Sequence, residues 1–109
     1  MTTQELRELD AWIAEHVMGY KTKVGLLWVG PGKNWEPFHP TEFDSDAMDV
    51  LKKCAEKGRV CIDIDPLSGL FSVFQDVRRL SIIELGIVEQ ATTLELAIAK
   101  FARAVFTKQ

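Results

Sequence analysis

Two histidines, two cysteines, four prolines and one tyrosine are all that the 109 residues contain of those types. A pair of cysteines cannot build a disulfide framework. With an N-terminus, MTTQELRELD, that is acidic rather than basic and then apolar, they read as buried thiols of a cytoplasmic chain. Two histidines fall short of the three or four ligands of a typical metal site. No apolar run approaches the roughly 20 residues that span a bilayer; the longest, near Val24 to Val29, is strand-sized. Positive charge is also scarce. Thirteen Lys and Arg face 16 Asp and Glu, a net charge of −3, which gives no drive toward phosphate backbones or anionic lipid. The basic residues are split between helix ends and the Arg78-Arg79 pair, so neither a nucleic-acid nor a membrane partner is expected.

What is present is ordinary globular composition, 47% hydrophobic and 27% charged. That is enough for one domain over 1–109 with a single core and no metal or disulfide staple. Leu6, Leu9, Ile13 and Val17 fall on one arc of a helical wheel, flanked by Trp12 and His16, with Arg7, Glu8 and Glu15 away from it. Gly19 closes that helix. Lys21 to Val29, KTKVGLLWV, is rich in β-formers and predicts one strand. Gly30 to Asn34 is a turn, and Trp35 to Pro40 returns as an edge strand or loop, because proline lacks the donor a central strand needs.

Thr41 is placed to cap a second helix, along which Phe43, Ala47, Val50, Leu51 and Cys54 repeat at helical spacing up to Gly58. Its acids (Glu42, Asp44, Asp46, Asp49) precede its bases (Lys52, Lys53, Lys57), an order that complements the helix dipole and so has a structural cause. Val60, Ile62 and Ile64 alternate with Cys61, Asp63 and Asp65, predicting a strand with one buried face. Pro66 to Gly69 turns the chain into a second arm from Leu70 to Val77. Leu80 to Val88 is apolar on both parities and asks for cover on both faces, with Gly86 marking a bulge. Thr92 or Thr93 caps a last helix whose stripe is Leu94, Ile98, Phe101, Ala102 and Val105; Leu96 and Phe106 fall outside it and form a second apolar patch.

Three stretches, LDAWIAEHVMG (9–19), TEFDSDAMDVLKKC (41–54) and ATTLELAIAKFARAVF (91–106), resemble the helices of the phage ABA sandwich domain family, small α-β-α proteins of bacteriophages and prophages. The chain departs from that pattern at Tyr20, where a tryptophan is expected, and at Ala99, where cysteine is frequent; it also lacks a proline just inside the last helix. The resemblance implies a phage or prophage protein in the cytoplasm of a bacterial host, and it carries over no activity and no catalytic residue.

The candidate chemistry is thin. Gly30-Pro31-Gly32-Lys33 has glycines too close for a phosphate-binding loop, Asn34 in place of a hydroxyl, and no helix directly after it. A small-ligand or metal site, conceivably an enzyme's, could draw on His39, Asp63, Asp65 and Cys61, although no dense ligand spacing such as HExxH or CxxC is present. Cys54 lies on an apolar stripe and reads as an inert small hydrophobe, while Cys61 lies on the polar parity of its strand. Trp28, Trp35 and Phe38 with His39 either cover one end of the core or form a recognition surface, cover being favoured.

The chain is therefore expected to be α/β (α+β), a three-helix α-β-α sandwich around a mainly antiparallel sheet, in the order α-β-β-α-β-β-β-α. The expected function is a non-enzymatic accessory role through protein contacts, without cofactor. A homodimer is the expected state, with a host or phage protein as a further partner. The candidate interface residues are Leu96, Phe106, Trp35, Phe38 and His39.

Overall fold

Thr2 and Glu5 open the first helix by satisfying each other's end of the chain. Thr2 Oγ1 accepts from the Glu5 N–H, and the Glu5 carboxylate accepts from the Thr2 N–H. That backbone N–H, with help from the hydroxyl, holds the Glu5 carboxyl below its usual range. In the computed structural model, helix α1 runs over Thr3–His16. The structure describes residues 1–22, 27–79 and 82–107, and only the backbone of 76–79 and 82–85. Gly19, at φ 73°, lets the chain reverse so that the Tyr20 N–H reaches the Ala14 carbonyl at 2.8 Å.

Where one strand was expected over Lys21 to Val29 there are two, β1 (Lys21–Thr22) and β2 (Trp28–Gly30), paired antiparallel; residues 23–26 lie outside the described residues. Strand β3 (Lys33–Glu36) returns across Pro31-Gly32, with Gly32 at φ 76°, the left-handed conformation this tight turn needs. The pairing shifts between Trp28↔Glu36 and Val29↔Asn34, leaving Trp35 as the extra residue of a bulge at φ 52°. β3 is an outer strand, in the order β1-β2-β3, but it begins at Lys33, inside the expected turn, and ends at Glu36, so the proline-bearing residues 37–40 are loop.

Helix α2 is Asp44–Ala55. Thr41 does not cap it. Phe43 holds the capping position without a side-chain bond and is exposed rather than part of the buried stripe. Thr41 is instead buried, and both its N–H and its hydroxyl are taken by Asp10 of α1.

Strands β4 (Val60–Ile64), β5 (Phe71–Arg79) and β6 (Ile82–Ala91) form a second antiparallel sheet in that order. Asp65 builds the turn between β4 and β5, accepting from Leu67 N–H at 2.9 Å and Ser68 Oγ at 2.8 Å; Gly69, at φ 73°, completes it. Between the pairs Phe74↔Val88 and Asp76↔Leu85, Gly86 and Ile87 oppose the single residue Gln75, so the bulge expected at Gly86 is present.

Helix α3, Leu94–Thr107, starts from Thr93, whose Oγ1 accepts from the Leu96 N–H at 3.2 Å. It lies across β5 and β6 and also packs against α1 and α2, so it is wrapped on nearly every side. The core follows from this placement. Ile13, Val50, Val73, Ile98, Phe101 and Ala102 are fully buried, in the three helices and the middle strand of the second sheet. Residues directly opposite in a ladder share a face, and Val73, Phe71 and Ala91 mark the face that α3 covers. Val60, Ile62 and Ile64 point to that same side, as their alternation predicts. Yet Ile62 is 41% and Ile64 59% exposed, because β4 is the outer strand and the core ends at Val60. On the opposite face, Val88 is exposed; the other residues expected to need double cover, up to Leu85, fall among those whose side chains are not described.

Three helices and two three-stranded antiparallel sheets thus make an α+β fold with one strand more than the sequence suggests before α2.

Candidate functional site

The aromatic loop cluster divides. Trp28 and Phe38 are buried, Phe38 meeting the Tyr20 ring edge-on at 5.2 Å, so these two cover the core. Phe38 is thereby corrected as an interface residue, because a side chain 1% exposed has no surface to offer. Trp35 alone of the three reaches the surface, 40% exposed on its bulge.

His39 is half-buried in a polar cluster that ties α1 to the loop before α2. Asp10 sits at its centre, buried, accepting from Thr41 N–H at 3.0 Å, Thr41 Oγ1 at 3.1 Å and Arg7 Nη1 at 3.0 Å. Burial pushes the Asp10 carboxyl above its usual range, against the pull of those donors and of His39. Arg7 reaches on to Glu42 and to His39 Nδ1, the latter at 2.8 Å. The His39 N–H donates to Asp46 at 2.9 Å, and Lys33 lies 3.6 Å from the other oxygen of that carboxylate.

An aspartate near a histidine suggests acid–base chemistry, but Asp10 Oδ2 is 3.5 Å from Nδ1, too far to orient the ring, and Arg7 occupies that nitrogen. The cluster is a clamp between two elements. The other histidine, His16, is exposed and stacks on Trp12 with centroids 4.6 Å apart.

The second apolar patch of α3 has an internal cause. Leu96 and Phe106 are partly buried against the core, and Lys57 lies 5.4 Å over the Phe106 ring. They are apolar because the helix is enclosed by its own chain. Cys61, Asp63 and Asp65 are not joined by His39. Among the described residues no three or more His, Cys, Asp or Glu side chains group as a metal site. Cys54 is buried, and desolvation pushes its thiol up to about 12.

A feature that the sequence did not suggest lies between the start of α2, β5 and the start of α3. A cleft of about 540 Å³ is walled by Ala47, Met48, Phe71, Leu94 and Ile98, with Asp44 and Glu95 also lining it. The Glu95 carboxyl is held above its usual range because its protonated form donates a hydrogen bond to the Asp44 carboxylate, whose charge adds to the effect. Met48 is exposed, and Phe71 stands directly opposite Ile64, so cleft and β4 edge form one apolar tract, Met48–Phe71–Ile64–Ile62. Only Met48 hinted at this, as an apolar residue off the buried stripe of its helix.

No protein-family model matches the chain, and no curated protein is similar to it in sequence. The α+β arrangement does occur in a solved structure, that of a phage protein from Bacillus cereus ATCC 14579. The match has a TM-score of 0.67 at 20% identity and covers 96% of this chain and 90% of that one. At that identity the likeness shows a shared fold, here the fold of a phage protein.

Proposed function

We propose that this chain is a phage or prophage accessory protein of the ABA sandwich kind that acts through protein contacts, without catalysis, as a homodimer in the host cytoplasm. The carrying observation is the apolar tract in which exposed Met48, Ile64 and Ile62 are joined through half-buried Phe71. Exposed apolar surface that is continuous, rather than scattered, marks a place where another surface binds. The shared fold with a phage protein supports the setting. The proposal includes no nucleic-acid or membrane partner; no described helix is long and apolar enough to cross a membrane. Native mass spectrometry of the untagged protein tests the proposal, with a dimer carrying no extra mass expected. A monomer at tens of micromolar in light scattering would remove the homodimer.

A second reading, a small-ligand domain, is favoured by the cleft, whose volume of about 540 Å³ lies within the roughly 300–1,000 Å³ of small-molecule sites. It would use Asp44 and Glu95 rather than His39, Asp63, Asp65 and Cys61. Extra mass that is lost on unfolding, and lost also in Met48→Glu, would favour it over the contact reading.

A further inference from the structure

Strand β4 is the outer strand of β4-β5-β6, and among the described residues no strand pairs with its other edge. Which of its backbone groups face outward follows from one bond. The Asp65 N–H donates to the Leu70 carbonyl at 3.0 Å, so Asp65 faces β5. In an antiparallel ladder this alternates along the strand, so Cys61 and Asp63 bond to Phe74 and Ser72. The N–H and C=O groups of Val60, Ile62 and Ile64 therefore point away from β5. An extended edge with open donors and acceptors pairs readily with another strand. This edge also carries two large side chains, Ile62 and Ile64, that its own core leaves 41% and 59% exposed.

The occupant is indicated by charge. Lys57 and Arg59 precede the strand, and Asp63 and Asp65 stand at its far end. A second copy laid parallel would set like charge on like, whereas an antiparallel copy sets acid on base. Keeping each face of the sheet on its own side restricts the register to same-parity pairs. Centring on Ile62 pairs all three outward-facing residues. Ile62 meets the partner's Ile62, Val60 meets the partner's Ile64, and Arg59 lies opposite the partner's Asp65. Cys61 then lies opposite the partner's Asp63 in a non-hydrogen-bonded pair.

We propose that two copies of this chain join along β4, antiparallel and centred on Ile62, making one six-stranded sheet whose seam covers Ile62 and Ile64. This deepens the homodimer reading and rests on it. The contact is isologous, each copy presenting the same strand to the other.

Two substitutions in the full chain test the seam. Ile62→Lys sets two ammonium groups face to face on the two-fold axis. It should raise the dimer dissociation constant about 100-fold or more and leave the far-UV circular dichroism of the subunit unchanged, since this side chain is already partly in solvent. Asp63→Cys places a new thiol opposite the partner's Cys61, with Cα atoms roughly 4.5 Å apart, inside the span of a disulfide. With oxidised glutathione taking up the two electrons, a covalent dimer should form. The unsubstituted chain should not cross-link, because its Cys61 pair is diagonal at roughly 7–8 Å, and buried Cys54 does not compete. A dimer lost in Ile62→Lys and locked by Asp63→Cys supports the seam. A dimer that survives Ile62→Lys and stays uncross-linked in Asp63→Cys overturns the seam and leaves the homodimer standing. A monomeric parent chain at 100-fold the concentration used for cross-linking overturns both.

Discussion

An aspartate set among Leu9, Ile13 and Val17 must be answered by donors, and Asp10 has them from Thr41 and Arg7. Asp10→Ala strands the Thr41 N–H and hydroxyl in the interior and should cost about 2–4 kcal/mol in urea denaturation. A loss under half a kcal/mol would show that water replaces the carboxylate. The pH dependence has a definite sign. Burial holds the Asp10 carboxyl above its ordinary value of 3.8 in the folded chain, so the native state holds its proton longer than the unfolded state does. Its contribution is therefore most favourable below 3.8 and declines as pH rises through the folded value. Asp65 works in the opposite direction, because Leu67 and Ser68 lower its carboxyl; what it contributes is present above 3.8 and is lost as pH falls through its lower folded value. Comparing each protein with its Asn variant across pH 2–6 should give slopes of opposite sign. The thiols should differ as well: with Cys54 held near 12, Cys61 alone reacts with a disulfide reagent at pH 8 until the chain unfolds.

At the scale of elements, the hairpin of β2 and β3 packs its backbone onto Tyr20. A Cβ at Gly30 would lie 2.5 Å from Tyr20 Cδ1, whose ring is buried. Gly30→Ala should therefore lower stability by about 1–3 kcal/mol, read as a fall in melting temperature; an unchanged value would mean the Tyr20 ring swings aside freely. The elements also show what was legible in the sequence. Periodicity located all three helices, and the Asp65 turn and the Gly86 bulge were visible because each depends on neighbours in the chain. Position within a sheet was not visible. Alternation placed Ile62 and Ile64 on the helix-covered face but could not say that the cover stops at Val60. Thr41 read as a cap because local spacing allows it, whereas its hydroxyl is spent on Asp10, 31 residues away. The candidate site was less legible still, since the cleft needs walls from three separated elements. The separate polar clamp did leave a local clue in Asp10, an acid four residues after Leu6 and three before Ile13, hence on the apolar arc itself.

For the molecule as a whole, a dimer that shares a sheet ties stability to concentration. If association covers the β4 edge, the melting temperature should climb with protein concentration in the parent chain and stay flat in Ile62→Lys. A flat curve for both would separate folding from association. The position of α3 matters in another way. It follows the sheet, α1 and α2 in chain order, yet all of them close upon it. During synthesis the ribosome delivers the wrapping before the object it wraps. Until Leu94 and the residues after it emerge, the nascent chain carries the inner surfaces of two helices and a sheet with nothing to bury them. Such a polypeptide needs a holding chaperone or rapid completion, and a message broken before Leu94 would yield a sticky fragment rather than a smaller folded protein.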